Sequence, residues 1–396
     1  MKKLLAIVLA AVMVLSLAAC GNTSGGASDT TQAASQTNAA ESQAAETAAA
    51  ETEGNAEVEL KSYKIGVLSH TNSGGCWERI LDAADHVAKN LNCEVTSAVG
   101  SSPDQILSEV ENFIASGCDG VIVMNEGGVT SRLIDLCEES GVYIVFSDCG
   151  FSVNTDDADY DTYKTNEFYC GNVAHDEYAD SYACAEDMIA KGAKHFVIYG
   201  LPPGISNNFD KRAIGAEDAV DKAGLDYVEV RSYSLAQVSP TVMSQNPDTD
   251  AIFSFVTTPD SFNVDEFVAN YAGKVQVSAY MCGDVTEEFE KGFLTHVSCG
   301  SEARIEMAFA LLYNAMTGHR IADADKVAPI IEYPHMWITD ADDYKVFISN
   351  VTGGKYAYSF DEVKEWLSIY GNDVTIDELQ KTALEFSDGT WIEEHK

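Results

Sequence analysis

A unit repeats along the chain from residue 63: a short apolar run, a polar or glycine-rich turn, then a stretch whose apolar residues recur every three or four positions. "YKIGVLS" leads to "CWERILDAADHVAKNL", "CEVTSAV" to "PDQILSEVENFIASG" and "DGVIVM" to "VTSRLIDLCEESG", before "VYIVFSD" closes the series near Asp148. In "PDQILSEVENFIASG", Ile106, Leu107, Val110, Phe113 and Ile114 fall at helical spacing with carboxylates between them. The strand-like runs are continuously apolar, which implies burial on both faces and so a parallel sheet covered by helices. An acidic, aromatic stretch, "FSVNTDDADYDTYKTNEF", interrupts the rhythm, which resumes from "DEYADSYACAEDMIAKG" and "KHFVIYG" through "VQVSAYM". The pattern predicts an α/β fold of two doubly wound lobes, one from residues 58–170 with 301–330, the other from 171–300 with 331–340. Crossings between them are expected near Gly171, Gly300 and Ile331. Residues 341–396 read as an extension with helices near 361–370 and 375–386.

In open α/β sheets, ligands sit beyond the carboxyl ends of the strands, where strand order reverses. The informative turns are therefore "SHTNSGGCW", "NEGGV" and "SDCGF" in the first lobe, and "GLPPGISNNFDKR", "VTTPDSF" and "MCGDV" in the second. The first turn lacks the lysine of a phosphate loop, and no G-x-G-x-x-G occurs. No G-x-S-x-G elbow and no H-E-x-x-H is present either, so no catalytic motif is predicted, and no metal or other cofactor. Ser73 is placed to cap the following helix. Asp156, Asp157, Asp159 and Asp161 lack the glycine and closing glutamate of a calcium loop and read as a solvated acidic loop.

The N-terminus, "MKKLLAIVLAAVMVLSLAAC", joins two lysines, an apolar run too short to span a bilayer and small residues before Cys20, as in a secretory signal. Residues 21–57 carry no aromatic side chain and cannot bury enough surface to order themselves. They predict a disordered tether, with an end-to-end distance of roughly 33 Å. The remaining 339 of 396 residues suit about two domains. A formal charge of −39 argues against nucleic acid or anionic lipid as a partner. Of ten cysteines, nine lie beyond Cys20, an odd number with no C-x-x-C pair, and those in apolar runs, such as Cys93, Cys118, Cys137 and Cys299, read as buried free thiols.

"LAAC" resembles the lipobox of bacterial lipoproteins, which makes Cys20 the expected lipidation site. From residue 63 to about 335 the order of elements, with "SEVENFIASGCDGVIVMNEGG", "GVYIVFSD" and "KRAIGAEDAV" followed by "AG", resembles type 1 periplasmic binding proteins of the ribose-like branch. The resemblance implies two Rossmann-like lobes that close by a hinge, and a monomer without enzymatic activity. It implies a substrate receptor for an ABC permease, lipid-anchored outside the cytoplasm, holding a sugar or similar polar metabolite. A sensory module that presents its ligand to a receptor kinase is the alternative. Ligand contacts are expected from Ser69, His70, Asn72, Trp77, Asn125 and Asp148 in the first lobe and from Arg212, in R-x-x-G with Gly215, in the second. The asparagine, aspartate and hinge glutamine of the family's second lobe fall near Val256, Cys282 and Gly300. Asn208, Phe209, Thr257 and Asp284 are therefore expected to replace them.

Overall fold

The structure, a computed structural model, describes residues 58–72, 74–204, 207–232, 238–256, 262–280 and 283–396, without the side chains of 238–241. Cys20, the tether, Ser73 and Thr257 lie outside the described residues.

In the first lobe β1 (Tyr63–Ser69), α1 (Trp77–Asn90), β2 (Cys93–Val99), α2 (Pro103–Ala115), β3 (Gly120–Val123), α3 (Thr130–Ser140), β4 (Tyr143–Ser147), α4 (Tyr160–Tyr163) and β5 (Tyr169–Ala174) follow in order. The second contains α5 (Glu177–Ala190), β6 (His195–Gly200), α6 (Asn207–Lys222), β7 (Asp226–Arg231), α7 (Val238–Gln245), β8 (Ala251–Ser254), α8 (Val264–Tyr271), β9 (Gln276–Ala279), α9 (Thr286–Glu290) and β10 (His296–Cys299). The chain then returns through α10 (Ser301–Met316) and β11 (Ile330–Glu332), and crosses again to β12 (Met336–Ile338). Helices α11 (Ala341–Asn350), α12 (Phe360–Glu365), α13 (Ile376–Ser387) and α14 (Thr390–Glu394) end it.

Two six-stranded sheets result, ordered β11-β5-β4-β3-β1-β2 and β12-β10-β9-β8-β6-β7. All recorded strand pairs are parallel except β12 against β10. The central strands are buried along their whole length, as in β3, β5 and β8, whereas the edge strands β2 and β7 keep exposed positions. Strand order reverses between β1 and β3 and again between β6 and β8, so the doubly wound expectation holds. Local chemistry supports the boundaries: Ser102 caps α2 with Pro103 at its first position, and Asp176 accepts from the amides of Tyr178 and Ala179 at the start of α5. Among the described cysteines, Cys118, Cys137 and Cys299 are buried and Cys93 partly so.

The crossings differ by a few residues from those expected. Gly171 lies inside β5 and Ile331 inside β11, where it pairs with Val173, so the chain changes lobe after Ala174, at Gly300 and after Glu332. The reason is the buried run "YCGNVA", which joins the first sheet although the acidic stretch before it has no strand character. Gly300 takes φ 126°, and a Cβ there would meet the Arg304 guanidinium and the Phe386 ring at 3.3 Å. At Gly215 a Cβ would meet the carbonyl oxygen of Tyr178 at 2.3 Å, so α6 lies against α5 only because this position is glycine.

His296 of β10 is fully buried, with Nε2 2.9 Å from an Asp187 carboxylate oxygen and Nδ1 2.8 Å from Thr295 Oγ1. Burial lowers its pKa to about 4, and Lys191 adds to the shift while Asp187 opposes it. Above pH 6.5 the ring is neutral in both folded and unfolded chains. As pH falls from 6.5 to 4 the unfolded chain takes the proton first, and stability drops by about 3 kcal/mol. Urea melts at pH 7.5 and 4.5 should show His296→Gln losing less stability over this interval than the parent; equal losses would refute the assignment.

Candidate functional site

The carboxyl ends of β1 and β3 present the first group of expected residues. Ser69 is buried and its hydroxyl donates to Thr71 O at 2.7 Å, so it shapes the turn from within. His70 and Asn72 are exposed. Asn125 donates to Gly100 O at 2.8 Å, and its amide nitrogen is 3.5 Å from His70 Nδ1. The His70 ring in turn lies 6.5 Å, centroid to centroid, from that of half-buried Trp77 at the start of α1. His70, Trp77 and Asn125 are thus brought together at the point where strand order reverses.

Asp148 follows β4 in a left-handed conformation, φ 61°, which aspartate tolerates better than most residues. One of its carboxylate oxygens accepts from Arg304 Nε, and from Ser301 Oγ at 3.4 Å; the other, Oδ2, is buried without a hydrogen bond. Arg304, fully buried on α10, also donates to Tyr333 O at 3.1 Å and Ser301 Oγ at 2.9 Å. The carboxylate expected to meet a ligand therefore arrives already held by an arginine from the second crossing.

Arg212 is also buried rather than free. Its Nε and one terminal nitrogen donate to the two oxygens of Glu177, the latter at 2.7 Å, and its guanidinium lies 4.2 Å from the centroid of the Tyr280 ring. Burial by itself would raise the Glu177 carboxyl, but Arg212 and His175 beside it overcome this and hold it well below the usual range. One helical turn on, Asp180 accepts from the His335 amide at 3.1 Å, and burial raises its pKa to about 6. Burial, with the nearby charges of His175, Arg304 and Arg212, keeps the His335 ring neutral.

In the second lobe Asn208 and Phe209 are partly exposed on the first turn of α6, with Phe209 5.5 Å from the Arg212 guanidinium. Asp284 is exposed and accepts from the amide of Thr286 at 3.0 Å and from its hydroxyl at 2.6 Å, so it is occupied in starting α9. The lobes meet at their mouths: an ideal Cβ on Gly283, after β9, would stand 3.5 Å from the Gly75 carbonyl oxygen, after β1. Behind this contact Arg79 of α1 pairs with Glu302 of α10 at 2.8 Å. A cavity of about 10 Å³, lined by Arg79, Gly300 and His335 among others, has room for about one water.

His175, Glu177, Arg304 and His335, which lie at or beside the crossings, were not among the residues expected from the sequence. Their signals were an arginine inside a helix rich in apolar residues, in a chain with 24 basic against 63 acidic residues, and a histidine directly after a buried strand.

The family described as "Periplasmic binding proteins and sugar binding domain of LacI family" matches residues 62–271. The chain belongs to this family. No curated protein matches this periplasmic-binding-protein chain. Among solved structures it is similar to an ABC transporter periplasmic solute binding protein from Actinobacillus succinogenes with bound D-allose, at 20% identity, covering 72% of this chain and 99% of that one, TM-score 0.59. It is similar to a carbohydrate transporter from Acidothermus cellulolyticus in complex with myo-inositol, at 14% identity, covering 73% and 98%, TM-score 0.58. A LacI transcriptional regulator from Bacteroides fragilis, itself named only provisionally, shares the fold at 13% identity, covering 71% and 98%, TM-score 0.56.

Proposed function

We propose that the chain is an extracytoplasmic, lipid-anchored solute-binding protein of an ABC importer, which shuts its two lobes on a sugar or related polyol and delivers it to a membrane permease. The observation that carries this reading is Asp148: a buried carboxylate at the carboxyl end of β4 with one oxygen held by Arg304 and the other without a hydrogen bond. Such an oxygen accepts well from a ligand hydroxyl, while Trp77 and Phe209 offer apolar faces to a sugar ring and Asn125 and His70 add polar contacts. The solved relatives bound to D-allose and myo-inositol support the ligand class. The leader ending in "LAAC" and the tether support export and anchoring, and the charge of −39 disfavours a DNA-binding role.

Binding requires the lobes to part and close again, since they touch between Gly75 and Gly283. Native mass spectrometry against pooled pentoses, hexoses and polyols should give one ligand per chain, with compaction in small-angle scattering. A hydrogen bond to a charged acceptor contributes about 1.5–3 kcal/mol, so Asp148→Asn should weaken binding of the selected ligand by about 10- to 100-fold. Absence of binding and compaction with every compound of the pool would overturn the reading.

A further inference from the structure

Two histidines face each other where the chain passes between the lobes. His175 belongs to the first crossing, between β5 and α5, and His335 to the third, between β11 and β12. Their ring centroids are 4.1 Å apart, with the ring planes inclined at 53°. Glu177, two residues beyond His175, completes a trio: one donor atom from each residue lies within 4.8 Å of the other two. All three side chains are shut away from solvent, with 3% exposure at His175 and 5% at Glu177, and His335 is 4% exposed.

Nε2 of His335 is buried without a hydrogen bond and faces this cluster. His175 Nε2 is 3.1 Å from a Glu177 oxygen and Nδ1 is 3.6 Å from an Asp148 oxygen, so this ring faces two carboxylates. An unpaired buried polar group costs about 1–3 kcal/mol, so a bare imidazole nitrogen beside a second imidazole and a carboxylate marks a place shaped for a ligand. The ring of His335 donates to the Cys299 carbonyl, and with Nε2 unbonded the donor is Nδ1, which leaves the Nε2 lone pair free; an Arg304 nitrogen lies 3.3 Å from Nδ1. Ligating histidines are commonly held in this way through the nitrogen that does not face the metal.

We propose that His175, Glu177 and His335 bind one divalent cation of the zinc type, linking the first and third crossings. Two imidazoles and a carboxylate suit zinc and its neighbours, whereas calcium and magnesium need shells built of oxygen. Glu177 accepts from Arg212 with both oxygens, yet each carboxylate oxygen has a second lone pair. The guanidinium groups of Arg212 and Arg304 weaken the binding of any dication alike, so the choice among metals rests on the two imidazoles. A cation held here couples metal binding to lobe motion, because opening the cleft must twist the crossings it joins.

The test takes the whole protein, freed of metal with a chelator and titrated with zinc chloride by calorimetry beside His175→Gln and His335→Gln. One zinc per chain is expected, bound at least about 10-fold more weakly in either variant, with the metal-free circular dichroism unchanged. Copper(II) bound to the unaltered protein should show nitrogen couplings from two imidazoles in its electron paramagnetic resonance spectrum, a readout that does not depend on either variant folding. No zinc binding, equal affinity in both folded variants, or a copper spectrum without imidazole couplings would each overturn the proposal.

Discussion

Replacing Arg304 with methionine should destabilise the protein by about 3–5 kcal/mol, although methionine fills much of the same volume. Arg304 is fully buried and contacts Asp148, Ser301, the Tyr333 carbonyl and His335. Two buried charges in contact offset each other's lost hydration, and removing one leaves the other uncompensated. The variant strands the Asp148 carboxylate and leaves Tyr333 O without this donor. The contrast is the double variant Asp148→Asn with Arg304→Met, which takes both charges out and should be more stable than Arg304→Met alone. Urea unfolding of parent, single and double variants closes the cycle. A loss below about 1 kcal/mol for Arg304→Met would mean that water reaches Asp148 and that the pair does not hold the crossings together.

Ending the chain at residue 339 should leave a product that does not fold cooperatively. The C-terminal helices form a strap over both lobes and the third crossing. Tyr344 of α11 donates to Gly283 O at 2.9 Å and stacks on Phe289 of α9, both in the second lobe. Between α12 and α13, the Trp366 carbonyl accepts from Asn314 of α10 at 2.7 Å and the Ser368 amide donates back at 2.8 Å. Gln380 of α13 exchanges two hydrogen bonds with the backbone of Glu332, at 2.7 and 3.0 Å, and Ser387 donates to Pro334 O at 2.8 Å. Tyr344, Trp366, Phe386 and Trp391 are all buried. Removing one such ring costs about 3–5 kcal/mol, and losing four, about 12–20 kcal/mol, is comparable to or larger than the net 5–15 kcal/mol of a typical folded domain. Trp391→Ala isolates one step, and its urea midpoint should fall by the equivalent of about 3–5 kcal/mol. A truncated chain that stays monomeric and melts in one sharp transition would show that the strap is an ornament to the lobes.

The βα alternation was legible because a strand buried on both faces must be continuously apolar, while a helix packed on one face must repeat its apolar residues at three and four. "DGVIVM" and "PDQILSEVENFIASG" carry those signatures locally, and β3 and α2 form where they stand. The turns of the first lobe were placed by the same alternation, and His70, Trp77 and Asn125 lie near one another there. The strap was read only as an appendage, because capping boxes at Ser359 and Thr375 announce helices and not what the helices cover.

The sequence by itself determined the two lobes and the strongly acidic charge, both of which follow from composition and short-range period. Tertiary structure alone decided the partners of the buried charges. Asp148 and Arg304 are 156 positions apart, Glu177 and Arg212 are 35 apart, and His175 meets His335 across the intervening lobe. Periodicity shows that a face is buried, but which charge is neutralised by which depends on where the three crossings converge in space. The cost of burying an unpaired charge then makes that convergence specific.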